Sequence, residues 1–524
     1  MSRALPERPS LEFLKKESKT LLRAAQQGDH AALRRFAALP AFAKLQRARL
    51  ATQTFAIHDA QSVVAREHGF ASWNALREEV ESRTLSFDQA VDEFVRCATG
   101  GAPGRASRLL ELYPRIATAS LQTCLVLGDA DGVMARLRAT PQLLGQAGGP
   151  QQWVPLLYAC HTCMHRESPA RTEGLVSIAR QLLALGADPN AEYHWNWHPE
   201  LPRTALWASV CEVAHLPLAE VLLQAGANPT DGVTAHITAG GGNVPALELL
   251  HRYGLNVNGI AGGVPPLVYI LSWADTPVGV RWLLEHGADP NLIWAESADA
   301  PLHLAARRWD IPVVQLLVQH GAELDRRNTE GRTPYAVAVL AGNEAIARWL
   351  LDRGANGELS PLEQFVGCCS HGDREGAAAV LSSHPGLPTQ LQREHHLLLQ
   401  RQAESGNAAV LEIMLAFGFD PNVGDKDQVT ALHRAAMAGQ VDATRVLLAG
   451  GSNVNAVDGM FAATPLVWAV EGRAHPTPGS DYVGVARALM AAGSLREWRA
   501  PEGAPGPERT QEGLMELLRA AADT

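Results

Sequence analysis

Residues 299–325, DAPLHLAARRWDIPVVQLLVQHGAELD, are followed at 331–356 by GRTPYAVAVLAGNEAIARWLLDRGAN, and the two stretches share one pattern. Each reads as a helix, a short turn, a second helix and an exposed link. The first helix opens at Pro301 or at Thr333-Pro334, because proline at the first helical position gives up no useful N–H and a threonine before it can cap the exposed donors. Leu302, Ala305 and Ala306 then share one apolar face. The second helix carries Val313, Val314, Leu316 and Leu317, or Ile346, Ala347, Leu350 and Leu351, and stops at Gly321 or Gly354. Glycine ends a helix in the left-handed conformation without a Cβ penalty. From Gly321 to Gly354 is 33 residues. Neither helix pair can bury its apolar face alone, so each needs a neighbour on both sides.

The opening of the first helix recurs as Ala300-Pro301-Leu302-His303-Leu304-Ala305 and as Thr430-Ala431-Leu432-His433-Arg434-Ala435. This resembles the Thr-Pro-Leu-His-x-Ala motif of the ankyrin repeat. The resemblance implies an all-α ankyrin-repeat solenoid of stacked helix-turn-helix units joined by short hairpin-like links, about ten repeats in all. It also implies that His303 and His433 bond the backbone of a neighbouring link rather than serving as acids or bases. Partners in this family usually bind the concave surface made by the links and the first helices.

Composition sets wide bounds. A chain of 524 residues is long for one globular core but ordinary for a linear array. Its 46% hydrophobic and 19% charged residues suit a folded protein. A net charge of −10, from 45 basic and 55 acidic residues, argues against nucleic acid as a partner. Seven cysteines without regular spacing read as free thiols in a reducing compartment. No apolar run is long enough to cross a bilayer, and MSRALPERPSLEFLKK is no secretory leader, so the expectation is a cytoplasmic monomer.

Taken in order, residues 1–84 form an N-terminal helical cap, with Phe70 and Trp73 packing between its helices. The stretch AQSVVAREHGFASWNALREEV resembles the helical region that precedes ankyrin arrays in bacterial proteins, which implies a bacterial source. Residues 85–150 hold divergent repeats whose links lack Gly-Ala-Asp-Pro-Asn, and 151–358 are the clear array. Its second helices end at Gly186, Gly226, Gly254, Gly287, Gly321 and Gly354, in steps of 40, 28, 33, 34 and 33 residues, which locate an insertion before Thr204 and a shortening near Gly240. Residues 359–393 are a divergent repeat, 394–499 return to regular repeats, and 500–524 are a linker and a C-terminal capping helix with Leu514, Leu517 and Leu518 on its apolar face.

Motifs for chemistry are scarce. There is no Gly-x-Ser-x-Gly elbow, no phosphate-binding Gly-x-x-x-x-Gly-Lys, no His-Glu-x-x-His and no dinucleotide fingerprint, so the chain reads as no enzyme, with no cofactor. The alternative is a metal site. Cys160 and Cys163 fall in one helix with His161 and His165, and if Pro155 aligns with Ala205 then His161 stacks beside Cys211 and His165 beside His215.

What the array offers instead is aromatic residues at variable positions. The expanded link carries Tyr193, His194, Trp195 and Trp197, the link after Asn291 carries Trp294, and Trp273, Arg307 and Arg308 follow the apolar part of first helices. Trp, Tyr and Arg dominate binding energies because they bury much area and keep a polar handle. These eight residues are the predicted partner-binding set for a protein or peptide of unknown identity.

Overall fold

In the computed structural model, residues 3–6, 9–40, 42, 53, 55–195, 198–259, 263–294, 299–498 and 507–522 are described. They fold as stacked helix pairs, with one two-stranded sheet. The chain divides into two units, 1–238 with 243–256, and 239–242 with 257–524.

The second unit contains the two stretches that opened the sequence reading. Helices Pro301–Arg308 and Ile311–Gln319 form one pair, and Pro334–Leu340 and Glu344–Asp352 the next. Thr333 caps its helix by accepting from the Ala336 N–H at 3.3 Å. Leu302, Ala305, Ala306, Val313, Val314 and Leu317 are buried, as the helical period requires. Leu351 departs from its expected place in the core and is 42% exposed. Ile346, Ala347 and Leu350 already fill the inward stripe, and one further residue turns the side chain about 100° away from it.

Each histidine of the repeated motif ties two repeats together. His303 Nδ1 accepts from the Ala300 N–H at 3.2 Å, and its Nε2 donates to the Arg332 carbonyl at 3.0 Å. His433 does the same with the Thr430 N–H at 3.1 Å and the Ala463 carbonyl at 3.2 Å.

The asparagines of the links make a second ladder. Asn291 Nδ2 donates to the Gly321 carbonyl at 2.9 Å while its Oδ1 accepts from the Glu323 N–H at 2.9 Å. Asn422 bonds in the same way to Gly451 and Asn453, and Asn455 to Gly493 and Leu495. Gly321, whose carbonyl Asn291 grips, stands at φ +93° with open space where a Cβ would go. Gly321→Ala should therefore lower stability through backbone strain alone, by about 1–2 kcal/mol. A urea titration of the purified chain measures it, and an unchanged midpoint would refute the strain argument.

The divergent units differ in how they turn. In the first unit, helix pairs Phe87–Thr99 with Pro103–Leu112 and Leu121–Leu127 with Ala130–Ala139 end in 3₁₀ segments, Pro114–Thr118 and Pro141–Leu144. In the second unit, Pro361–His371 and Arg374–Ser383 lead into a 3₁₀ segment Leu387–Gln390, then short helices Arg393–His396 and Leu398–Glu404.

The first unit starts with helices Leu11–Gln26, His30–Phe36, Ile57–Glu67 and Trp73–Thr84, which share a core of Leu14, Leu21, Phe36, Phe55, Val64 and Leu76, with Phe70 and Trp73 packed against it. At the other end of the chain, helix Pro507–Ala522 buries Leu514, Leu517 and Ala521, lying on helices Pro465–Ala474 and Tyr482–Ala491. Residues 500–506 of the expected linker lie outside the described residues.

Candidate interaction surfaces

The insertion before Thr204 is a β-hairpin. Strand β1, Glu192–Trp195, pairs antiparallel with β2, His198–Thr204, and the Ala205 N–H closes its base on the Ala191 carbonyl at 2.9 Å. Alternation along β1 sends Tyr193 inward. Its ring lies 4.5 Å from that of Trp153 and 5.1 Å from that of His161, and burial pushes its phenol up to about 12. Tyr193 is half-buried against these rings, whereas His194 stands exposed on the opposite face. Trp195 pairs with His198 in the strand register; its side chain, and Trp197 as a whole, lie outside the described residues.

The four candidate metal ligands separate into three places. His161 Nδ1 lies 2.7 Å from Glu212 Oε2, not beside Cys211. Cys211 points its sulfur at the Thr234 carbonyl, 3.7 Å away, and at Thr238 Oγ1, 3.6 Å away. His165 and His215 do face each other, with rings 5.1 Å apart. The cause is local: Ala208–Glu212 is a π-helical turn, whose extra residue moves Glu212 into the position that simple alignment gives to Cys211. Cys163 also leaves the expected helix, which ends at His161. Among the described residues no group of three or more His, Cys, Asp or Glu stands together as a metal centre.

The second unit gathers the other four predicted residues. Trp273, at the end of helix Pro266–Trp273, is 54% exposed. Its ring lies 5.2 Å from Tyr269 and meets Trp294 edge-on at 6.2 Å, with the exposed Ile293 beside it in sequence. Arg308 crosses from the next repeat to the C-terminal end of that helix, donating to the carbonyls of Ser272 and Ala274 and pairing with Asp275. A cation there meets the negative end of the helix dipole. Arg307 pairs with Asp299 at 2.8 Å, and Asp299 also accepts from Asn328 at 2.7 Å. Both arginines are therefore oriented by neighbours rather than waving in solvent.

Beside Arg307 opens a groove of about 530 Å³ that sequence reasoning missed. Leu304, Val337, Leu340, Leu397 and Leu398 form its apolar part; Arg307, Arg332 and Arg401 carry its positive charge; Asp299, Glu330 and Glu394 carry its negative charge. Arg332 is matched by Glu330, by Glu394 at 3.6 Å and by Glu363 at 3.9 Å. Arg401, from helix Leu398–Glu404, reaches the Arg307 carbonyl across 94 residues of sequence. Nearest-neighbour stacking gives no hint of that contact.

A family model of ankyrin repeats matches residues 275–360 and 399–491. The chain contains ankyrin repeats. Among similar proteins, the SH3 and multiple ankyrin repeat domains protein 2 of Homo sapiens is 32% identical over 180 residues, 33% of this chain and 10% of that protein. The B-cell lymphoma 3 protein of Homo sapiens is 28% identical over 196 residues, 36% of this chain and 37% of that protein. Rabankyrin-5 of Mus musculus is 29% identical over 169 residues, 31% of this chain and 14% of that protein. The ankyrin-repeat chain thus spans well under two thirds of each relative. The crystal structure of the human ASB11 ankyrin repeat domain is 20% identical, with a TM-score of 0.24, over 50% of this chain and 98% of that one. Ankyrin repeats are in general protein-interaction modules, and among the described residues no helix is long and apolar enough to cross a membrane.

Proposed function

We propose that this ankyrin-repeat chain is a non-enzymatic scaffold that binds a protein or peptide on the concave face of its repeats. The observation that carries the reading is Trp273: a large aromatic left 54% exposed, flanked by Tyr269 and Trp294, with Arg308 held at the end of the same helix. An aromatic cluster kept out of the core next to an oriented arginine is the composition of a binding hot spot. The hairpin, with His194, Trp195 and Trp197, is a second candidate surface on the first unit. The chain acts in this reading as a monomer in the cytoplasm; its seven cysteines, all unpaired, fit a reducing compartment.

The test is affinity capture from a lysate of the source organism with three baits: the intact chain, Trp273→Ala, and Trp195→Ala. Truncating Trp273 should reduce retention of the partner about tenfold or more, because a central aromatic anchor contributes a disproportionate share of the affinity. Trp273 is not a core residue, so the thermal unfolding of the variant should match that of the intact chain. Equal retention by the intact chain and the Trp273→Ala bait would remove the patch from the binding surface.

A further inference from the structure

We propose that the cavity between helix Pro465–Ala474, the link before it and the C-terminal segment binds a small aromatic amine, with its ring against Phe461, Trp468 and Trp498 and its ammonium on Glu471. The inference goes beyond the scaffold reading and does not rest on it.

The cavity holds about 290 Å³. Met437, Phe461, Val467, Trp468 and Trp498 form its apolar walls, and Glu471 and Thr510 are its polar side chains. Two hydrogen bonds tie the C-terminal segment to the last regular helix pair and hold the walls in place. Trp498 Nε1 donates to the Phe461 carbonyl at 3.2 Å, and the Thr510 hydroxyl donates to Glu471 Oε1 at 2.6 Å. Phe461 and Met437 nevertheless stay open to solvent, each 37% exposed. Large apolar side chains left exposed around a concavity mark a place where apolar surface is still to be covered. A volume of this size takes one ring with a short tail, and flat aromatic walls favour a flat aromatic body.

The charge around the cavity selects the tail. Arg434, whose guanidinium lies 5.6 Å from the Trp468 ring, is matched by Asp425 at 3.5 Å, and Arg473 is matched by Glu516 at 3.9 Å. Beside Trp498, Arg496 and Glu497 bring one charge of each sign. Two carboxylates remain that no cation pairs with among the described residues. Asp458 is buried behind the wall and accepts from the N–H groups of Met460, Phe461 and Ala463 and from Trp468 Nε1. Glu471 lines the cavity itself, exposed to solvent, with the Thr510 hydroxyl as its donor. Asp458 is already saturated by its donors, so its charge adds a negative field, whereas Glu471 has an oxygen left to receive an ammonium. An apolar body carrying a positive tail is thus the occupant that meets both the walls and the field.

Isothermal titration calorimetry of the full-length chain with phenethylamine, 2-phenylethanol and 3-phenylpropionate compares one ring carrying positive, no and negative charge. The amine should bind about threefold to fivefold tighter than the alcohol, the range of an exposed ion pair, and the acid should bind weakest. Glu471→Gln, whose amide oxygen still accepts from Thr510, should bring the amine down to the affinity of the alcohol with thermal unfolding unchanged. Phe461→Ala trims a solvent-open wall and should weaken amine and alcohol alike, by about fivefold. Arg445→Gln, outside the cavity lining, should bind like the intact chain. An acid bound as tightly as the amine, or an amine preference that survives Glu471→Gln, would overturn the inference, and so would the absence of saturable binding by all three. If n-butylamine bound as tightly as phenethylamine, the cavity would belong to an aliphatic ammonium such as a lysine side chain, and the aromatic assignment would fall. The scaffold reading stands or falls separately, on the Trp273→Ala capture.

Discussion

Replacing Phe365 by alanine is expected to cost about 3–5 kcal/mol and to loosen one stretch of the chain while leaving distant helices intact. Phe365 is fully buried in helix Pro361–His371, the first helix of the divergent unit, with its ring edge-on to Phe417 at 5.9 Å. The cavity left by the ring cannot close, because the flanking helices are fixed by their own neighbours. In a stacked array each unit is stabilised by the units it touches, so the loss falls on residues 361–383 and 398–416. Hydrogen exchange read by mass spectrometry should show those amides opening far faster, with the helices of residues 11–84 unchanged. A uniform increase along the chain would instead mean that the protein unfolds as one block.

The second large effect concerns the buried histidines. His303→Ala should cost about 3 kcal/mol, because it leaves both the Ala300 N–H and the Arg332 carbonyl without their buried partner. It should also flatten the dependence of stability on pH. Burial lowers the pKa of His303 and of His433 in the folded chain, so the unfolded chain takes up the proton first. Stability contributed by the neutral rings is therefore complete above the unfolded histidine value of about 6.5, and declines as pH falls from there toward the folded values. Urea midpoints measured near neutrality and again in mildly acidic buffer should drop for the intact chain, and drop less for His303→Ala. Equal midpoints at both pH values would contradict the linkage.

What the sequence disclosed and what it concealed follow a physical division. The helix pairs were readable because proline, threonine, glycine and the 3.6-residue period act locally, while the roles of His303 and His433 were foreseeable only through the resemblance of their motif to the ankyrin repeat. Non-local and irregular features were not. Pro199 and Pro202 speak against a strand, yet both lie in a two-stranded hairpin, where each strand is an edge strand and tolerates proline. The π-helical turn at Ala208–Glu212 shifted the register by one residue, which put Glu212 rather than Cys211 beside His161. Of the predicted binding residues, Trp273, Trp294, Arg307 and Arg308 fall in one neighbourhood because their repeats are adjacent, whereas Tyr193 is turned inward by strand alternation. Arg401 went unseen because its contact with Arg307 depends on how a 3₁₀ turn redirects the chain after Ser383.

The asparagine ladder separates what must stay constant in such an array from what is free to grow. Asn190 grips the Gly226 carbonyl and the Asn228 N–H before the chain leaves for the hairpin, and Ala205 returns to Ala191 where the hairpin ends. The spacing between repeats is thereby held on either side of the excursion by backbone and asparagine contacts at its base. Loop length at that point is decoupled from the pitch of the stack. New recognition elements can be grafted or lost there by insertion and deletion, at a rate limited by the chemistry of the loop itself and not by the cohesion of the scaffold.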